Sequence, residues 1–161
     1  PEHVACALRP SWSMWLSTLE ISPLLPVHKQ ALGVHFLGLP ADDRYARFGV
    51  TLGDEALLGW LCRMDWQAQR WWGAWLPGDL GLVGSLQLIP TPQARAWELA
   101  MTVNPLIRQQ GVGTRMLSTA VAQTPEAKCL VCHHGHAAVY AMARRLRYTV
   151  DMQQGTSKIR T

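Results

Sequence analysis

A glycine-containing segment between residues 103 and 114 has the residue types of an anion-binding loop. It joins a strand-like apolar run to a helix-like one, and it contains Arg108, Gly111 and Gly113. Glycine lets the backbone approach a ligand closely and adopt a positive φ angle. The first N–H groups of a helix lack partners within the helix, and the helix dipole adds positive partial charge. The segment therefore predicts a phosphate or pyrophosphate site, although a tight strand-to-helix turn without a ligand has the same pattern.

Two common phosphate-binding loops do not fit this segment. A Walker loop needs a lysine and then a serine or threonine after its second glycine, whereas Thr114 and Arg115 follow Gly113. A dinucleotide-binding fingerprint needs a further glycine three residues on, and Met116 occupies that position. A phosphate site here would have to be of another kind.

The rest of the chain predicts a mixed α and β domain around one sheet. Short apolar runs bounded by turn residues predict strands at 31–37, 71–76, 81–89, 96–103, 128–132, 147–152 and 157–161. Helical spacing and capping residues predict helices at 42–48, from 51 or 54 to 64, at 111–123 and at 137–146. Residues 1–30, which begin with a proline-containing stretch of little periodicity, are predicted to form an N-terminal extension or arm. The domain proper is predicted to span residues 31–161.

Composition excludes several classes of protein. The chain has 161 residues, of which 48% are hydrophobic and 16% charged, as in a single globular domain rather than a disordered chain. No apolar run approaches the roughly 20 residues of a membrane span, so we expect no membrane partner. Arg9, Pro10 and Pro23 interrupt any signal-peptide core. Four cysteines do not indicate a disulfide scaffold. We expect reduced thiols and a cytoplasmic protein.

Charge is distributed unevenly along the sequence. Residues 1–104 hold seven basic and nine acidic side chains, for a net charge of 7 − 9 = −2. Residues 105–161 hold eight basic and two acidic side chains, for a net charge of 8 − 2 = +6. A basic half favours an anionic partner, either nucleic acid or a phosphorylated cofactor. The basic residues are few and no nucleic-acid-binding motif accompanies them, so we expect no nucleic-acid partner.

The segment from Arg108 to Gly113 resembles the acetyl-CoA loop of the GNAT superfamily of N-acetyltransferases. That loop has the pattern Gln/Arg-x-x-Gly-x-Gly/Ala and lies between the fourth strand and the third helix. The stretch from Asp42 to Phe48 also resembles the opening helix of a GNAT branch that includes catalytic domains of bacterial protein acetyltransferases. The resemblance covers about residues 30–161. It implies one α/β (α+β) domain with a mostly antiparallel sheet, splayed at the cofactor site, and helices on both faces.

The same resemblance implies where acetyl-CoA would bind. Backbone amides in the loop would hold the pyrophosphate, and the pantetheine arm would lie along the open edge of the preceding strand. The residues implied are Met101, Thr102, Val103, Arg108, Gln109, Gln110, Gly111, Val112, Gly113 and Thr114. Separately, His136 or His133 in the cysteine–histidine segment is a candidate for a polar contact near the cofactor cleft.

Acetyl transfer to an amine needs a group that removes a proton from the ammonium, whose pKa is near 10.4 for an alkyl amine. Glu98 is the candidate general base, because it is the sole acidic residue between Leu80 and Pro125 and lies in the strand before the loop. A one-residue change of register would place Trp97 there instead.

The leaving thiolate needs a proton, which many GNAT enzymes supply from a tyrosine. Aligning the family pattern on Tyr148 puts Ala143 at the position of that tyrosine. Tyr140, one helical turn earlier, is the candidate replacement if it rotates into the site, and solvent is the alternative.

Cys129, Cys132 and His133 form a Cys-x-x-Cys-His pattern that is also found at haem and zinc sites. In a strand, the two cysteines would face opposite sides and would not share a metal. We therefore expect no metal cofactor.

These observations predict an N-acetyltransferase that moves an acetyl group directly from acetyl-CoA to a primary amine in a ternary complex. The acceptor is expected to be a small-molecule amine or a protein lysine or N-terminus. Trp66, Trp71 and Trp72 are candidates for stacking on a cationic group. The alternative is a non-catalytic acyl-CoA sensor, motivated by the missing tyrosine. A homodimer would be ordinary for such a domain.

Overall fold

The computed structural model describes residues 12–78, 81–133, 136–153 and 156–161. Its strands form one seven-stranded sheet in the order β1-β2-β3-β4-β5-β7-β6. Every neighbouring pair is antiparallel except β4 and β5, which are parallel. The strands are β1 (Glu20–Pro23), β2 (Arg70–Leu76), β3 (Gly81–Pro90), β4 (Ala96–Val103), β5 (Cys129–Cys132), β6 (Thr149–Gln153) and β7 (Thr156–Arg160).

Helices cover both faces of this sheet, in a single α+β domain. Helices α2 and α4 pack with Phe36, Leu57 and Trp71 on one face, while α5 and α6 pack with Trp72 and Met116 on the other. The two tryptophans are neighbours on β2, and their side chains therefore enter different clusters. The helices are α1 (Trp12–Ser17), α2 (Lys29–Leu37), α3 (Ala41–Phe48), α4 (Asp54–Arg63), α5 (Val112–Ala122) and α6 (His136–Arg145).

The central strands are buried on both sides, which explains their composition. Seven consecutive residues of β3, from Leu82 to Leu88, are buried, and six of the seven residues of β2 are buried or half-buried. A strand covered by helices on both faces has apolar residues at successive positions instead of alternating ones. Ser85 and Gln87 are the polar exceptions within the buried part of β3.

Part of the predicted N-terminal arm belongs to the sheet. β1 pairs antiparallel with β2, and the flanking Leu19 and Leu24 are both 4% exposed. The guanidinium of Arg115 donates hydrogen bonds to the carbonyl oxygens of Leu16 and Leu19, at 3.2 and 2.9 Å. The segment from residue 12 to residue 30 thus packs against the elements that follow it. Residues 1–11 lie outside the described part of the chain.

The predicted strand at 31–37 is wrong, because these residues belong to α2. A short apolar run fits a strand and a buried helix equally well. The structure distinguishes the two by burial: Leu32 and Phe36, four residues apart, are fully buried, while Val34 between them is 67% exposed. Pro26 at the start of the preceding 3₁₀ turn begins the helical backbone at a position that suits proline. The other predicted elements are present, with ends that differ by up to three residues.

Replacing Phe36 and Val34 separately by alanine tests the helical assignment. Phe36→Ala should lower the free energy of unfolding by about 3–5 kcal/mol, the usual cost of removing a buried phenylalanine. Val34→Ala should change it by no more than about 0.5 kcal/mol, as for an exposed position. Urea denaturation of both variants measures this difference. Similar large losses for both would contradict the helix, because a strand places positions 34 and 36 on the same face.

Candidate active site

β4 and β5 separate partway along β4. Their register consists of Ala96 with Cys129, Trp97 with Leu130 and Glu98 with Val131, and pairing then ends. β4 continues to Val103 and stays paired with β3 on its other side. From Leu99 onward, none of the strands that the structure describes pairs with this edge of β4, which lies in the interior of the sheet.

The hydrogen-bond phase of β4 shows which backbone groups face this gap. The N–H of Asn104 donates to the carbonyl of Val83 at 2.8 Å, continuing the ladder with β3. Bonding alternates along an antiparallel pair, so Thr102 also directs its N–H and C=O toward β3. Met101 and Val103 direct theirs toward the gap. An extended ligand could therefore bond to β4 as an added strand does.

The loop after β4 leads into α5 through two left-handed residues. Asn104 begins a 3₁₀ turn by accepting a hydrogen bond from the N–H of Leu106 at 3.0 Å. Gln109 and Gly111 then have φ angles of 60° and 83°. Gly111 is the N-cap of α5, and its carbonyl accepts the first helical bond, from the N–H of Arg115 at 3.0 Å.

This loop leaves its amides available to a ligand. Among the described residues, no partner is found for the N–H groups of positions 109–114. Those at the start of α5 also lie at the positive end of the helix dipole. The geometry suits an anion with several oxygens, such as a pyrophosphate.

Gly113 lies where α5, α6 and β4 approach one another closely. A Cβ atom there would be 2.9 Å from the sulfur of Met142 and 3.4 Å from that of Met101. A Cβ at Gly111 would meet no atom within 4 Å, and glycine at that position serves its positive φ angle. Glycine is therefore needed at Gly111 for its backbone conformation and at Gly113 for close packing.

The two arginines near the loop are engaged by the protein itself. Arg108 donates from Nε to the carbonyl of Val103 at 3.1 Å and forms an ion pair with Asp43 at 2.6 Å. Arg115 binds the carbonyls before β1. Arg108 thus lies beside the gap, between the loop and α3, while Arg115 serves the N-terminal segment.

The other face of β4 carries a polar strip that lies under α2 and α3. Side chains alternate between the two faces of a strand, so this face of β4 carries Glu98, Ala100 and Thr102. The hydroxyl of Thr102 lies 2.7 Å from Nε2 of His35 and 2.9 Å from the hydroxyl of Ser85. Burial lowers the pKa of His35 to about 4, so the imidazole is neutral at pH 7. Thr102, predicted with Met101 and Val103, therefore has its side chain away from α5.

Arg47 lies in the same polar strip. Its guanidinium donates to the side-chain oxygen of Gln87 and sits among four aromatic rings, with Cζ 4.8 Å from the centre of the Phe48 ring. Burial lowers the pKa of Arg47 to about 10, and the carboxylate of Glu98 partly opposes this effect.

Sequence reasoning missed His35, Arg47 and Gln87 as site residues. His35 lies in the segment that it assigned to a strand. Arg47 and Gln87 are 40 positions apart, and only the paired sheet shows that they meet. The local signal was the presence of two polar residues, Ser85 and Gln87, within a largely apolar strand.

The remaining predicted site residues lie in several places. Tyr140 is 47% exposed, and its ring stacks with the guanidinium of Arg144 at 5.8 Å on the outside of α6. His136 is the first residue of α6. Trp71 and Trp66 are neighbours on the α2 and α4 side, with ring centres 6.0 Å apart. Trp72 lies on the opposite face and donates from Nε1 to Gln123 at 2.7 Å.

The cysteines of the Cys-x-x-Cys-His pattern alternate in burial along β5. Cys129 is half-buried and Cys132 is buried, as expected for residues on opposite faces of a strand. Within the part of the chain that the structure describes, no group of three or more His, Cys, Asp or Glu side chains could hold a metal ion. None of the described helices has the length and apolar character needed to cross a membrane.

The separation of β4 from β5 and the loop between β4 and α5 agree with the result of the family comparison. The model of the acetyltransferase (GNAT) family matches residues 39–146, which is more than half of the chain. The chain therefore belongs to the GNAT family and is an acyltransferase. A search of curated proteins found no match to this sequence.

Solved structures share this fold at low sequence identity. The GNAT domain of S. lividans PAT is 14% identical, with a TM-score of 0.65 over 89% of each chain. A phosphinothricin acetyltransferase from Sinorhizobium meliloti, solved with AcCoA, is 12% identical, with a TM-score of 0.64 over 89% of this chain and 88% of that one. A spermidine N-acetyltransferase from Vibrio cholerae, solved with CoA and spermine, is 12% identical, with a TM-score of 0.63 over 89% of this chain and 94% of that one.

The low pKa of His35 predicts a loss of stability in acid. Between pH 6.5 and about 4 the unfolded chain binds a proton at this side chain and the folded chain does not. The free energy of unfolding should therefore fall as the pH falls through this range, by about 3 kcal/mol in total from this group. His35→Gln should remove that part of the pH dependence. Urea denaturation of both proteins at pH 7 and pH 4 measures it, and equal losses would contradict the buried neutral histidine.

Proposed function

We propose that the protein transfers an acetyl group from acetyl-CoA to a primary amine. The observation that carries the proposal is the combination of a strand edge opened inside the sheet and a following loop with unpartnered amides. The first can hold an extended amide-containing chain, and the second can hold a pyrophosphate. Acetyl-CoA has both groups in one molecule.

In this proposal the cofactor binds along β4 and ends at α5. The amides of residues 109–114 hold the pyrophosphate, with Arg108 close by. The pantetheine arm bonds to the outward-facing C=O of Met101 and N–H of Val103, because Arg108 already donates to the C=O of Val103. The N–H of Met101 stays available to the thioester. The thioester then lies in the gap between β4 and β5, and His136, at the start of α6, remains a candidate for a further polar contact.

The chemistry proposed is direct transfer in a ternary complex. Glu98 removes a proton from the ammonium of the acceptor, directly or through water, because only the neutral amine has a free electron pair. The amine nitrogen bonds to the thioester carbon, and the N–H of Met101 is suited to stabilise the negative carbonyl oxygen. The carbon–sulfur bond then breaks, and the electron pair leaves with the sulfur of CoA. The nitrogen, positively charged after its attack, releases its second proton to solvent and becomes the neutral amide.

The group that protonates this thiolate is proposed to be Tyr140 or solvent. Tyr140 must leave its stacking contact with Arg144 and rotate toward the gap to act. Its exposure also favours a second candidate function, an acyl-CoA sensor that binds the cofactor without transferring the acyl group. Turnover with any amine distinguishes the enzyme from the sensor.

The acceptor class proposed is a primary amine, on a small molecule or on a protein. The Vibrio cholerae neighbour is named as a spermidine acetyltransferase, and the chemistry of Glu98 suits any protonated amine. The cytoplasmic location and the homodimer stay predictions.

Replacing Glu98 by glutamine tests its role as the base. With acetyl-CoA and an amine that the wild type acetylates, Glu98→Gln should lower kcat/KM by about 100-fold or more, within the usual range for general base catalysis. The deficit should be largest at low pH, where the acceptor is most fully protonated. Release of the CoA thiol measures the rate between pH 6 and 9.

Glu55→Gln, which changes an exposed carboxylate at the start of α4, is the matched control and should keep wild-type rates. An unchanged pH–rate profile in Glu98→Gln would remove Glu98 as the base. Binding of acetyl-CoA without turnover of any amine would favour the sensor.

A further inference from the structure

Arg44 and Arg47 lie one turn apart on α3 and have very different surroundings. Arg44 donates to the carbonyls of Leu37 and Leu52 at 2.7 and 3.0 Å and pairs with Asp54 at 2.7 Å. These contacts join α3 to the chain on both sides of it. Arg44 is therefore a structural arginine whose N–H groups have protein acceptors.

Arg47 as a whole residue is half-buried, but its guanidinium is buried and has fewer partners than that of Arg44. Its hydrogen-bond acceptor in the described part of the chain is the side-chain oxygen of Gln87, and no described carboxylate lies within 4 Å. Its Nε is buried and unpartnered. The surrounding rings stabilise the face of the guanidinium but cannot accept its in-plane N–H groups. A buried cation in this state is costly unless an anion completes the site.

A second unpartnered donor lies next to it. Trp71 is 3% exposed, its ring centre is 5.9 Å from Cζ of Arg47, and no acceptor is found for its buried Nε1 among the described residues. The side chain of Gln87 is already engaged on both sides, since its oxygen accepts from Arg47 and its amide nitrogen donates to Gln69. Two N–H donors thus lie unpartnered beside each other, and the carboxylate of Glu98 on the same face forms no ion pair with Arg47. The ligand group that corrects both the charge and the hydrogen bonding is a carboxylate.

The sheet places this donor pair close to the proposed base. Trp71, Gln87 and Ala100 are directly opposite one another on β2, β3 and β4. Glu98, two residues before Ala100, is therefore a diagonal neighbour of Gln87, about 7–8 Å away. Ala100 has only a methyl side chain and is partly exposed in the middle of the sheet. An acceptor could lie above it, between the guanidinium and the base.

We propose that the acceptor is a compact amino acid whose carboxylate binds Arg47 Nε–H and Trp71 Nε1–H while its amine lies at Glu98. The inference rests on the proposed function and narrows its acceptor class. A polyamine or an internal lysine of a protein would instead bring a cation, or no anion, toward the buried guanidinium.

The test compares free amino acids with their carboxamides as acceptors, using acetyl-CoA and release of the CoA thiol. The two sets differ in the anion and share the amine. At least one free amino acid should be acetylated with a kcat/KM about 10- to 100-fold above that of its carboxamide, the usual effect of losing hydrogen bonds to a charged group. Spermidine and lysine-containing peptides complete the panel.

Variants identify the residues responsible. Arg47→Gln should abolish the preference for the free acid, mainly by raising KM. Trp71→Phe keeps a ring and removes one donor, so it should raise KM for the acid and leave KM for the carboxamide unchanged. The Trp71→Phe variant also tests the site if Arg47→Gln does not fold. Arg63→Gln, which changes an exposed arginine on α4, is the matched control and should behave as the wild type.

Equal use of acids and carboxamides would overturn the inference, as would turnover of spermidine or peptides with no turnover of free amino acids. Both results would leave acetyl transfer itself intact. If no amine is turned over, calorimetric titration of the CoA-bound protein with the free amino acids decides, and absence of binding by all of them refutes the proposal. Failure to bind acetyl-CoA would refute the proposed function separately.

Discussion

The structure depends on the point where β4 loses β5 as its neighbour. A strand that parts from its partner in the interior of a sheet has N–H and C=O groups with no ladder to join. Here those groups belong to Met101 and Val103, and the carbonyl of Val103 is satisfied by Arg108. The remaining groups need another partner. In the proposed function, the cofactor bonds to them as an added strand would, and this links the sheet to the proposed cofactor.

The segment of β4 beyond the separation is held in place by β3 at its other edge and by side-chain contacts on one face. β3 continues to pair with it, and His35 and Ser85 both contact the hydroxyl of Thr102. These contacts fix the strand whose amide is proposed to stabilise the reacting oxygen. In this account, backbone groups at the open edge of β4 bind the cofactor. Side chains on the face of β4 under α2 and α3 bind the acceptor.

The sequence predicts the cofactor side of the site better than the acceptor side. The loop from Arg108 to Gly113 is continuous, and its glycines, the strand before it and the helix after it are all local features. His35, Arg47 and Gln87 come from three separate elements and meet only through the sheet register. The helix at 31–37 was missed for a related reason, because an apolar run of that length does not fix its own period. Burial on one face of α2 is what distinguishes it from a strand.

The most direct test of the central claim is calorimetric titration with acetyl-CoA of the wild type, of Gly111→Trp and of Gly78→Trp. Both glycines have a positive φ angle, 83° and 69°, and open space around the Cβ position, but only Gly111 lies at the proposed pyrophosphate site. The account predicts micromolar binding by the wild type and by Gly78→Trp, no binding by Gly111→Trp, and no binding of NAD by any of them. Undiminished binding by Gly111→Trp, or none by the wild type, would contradict it.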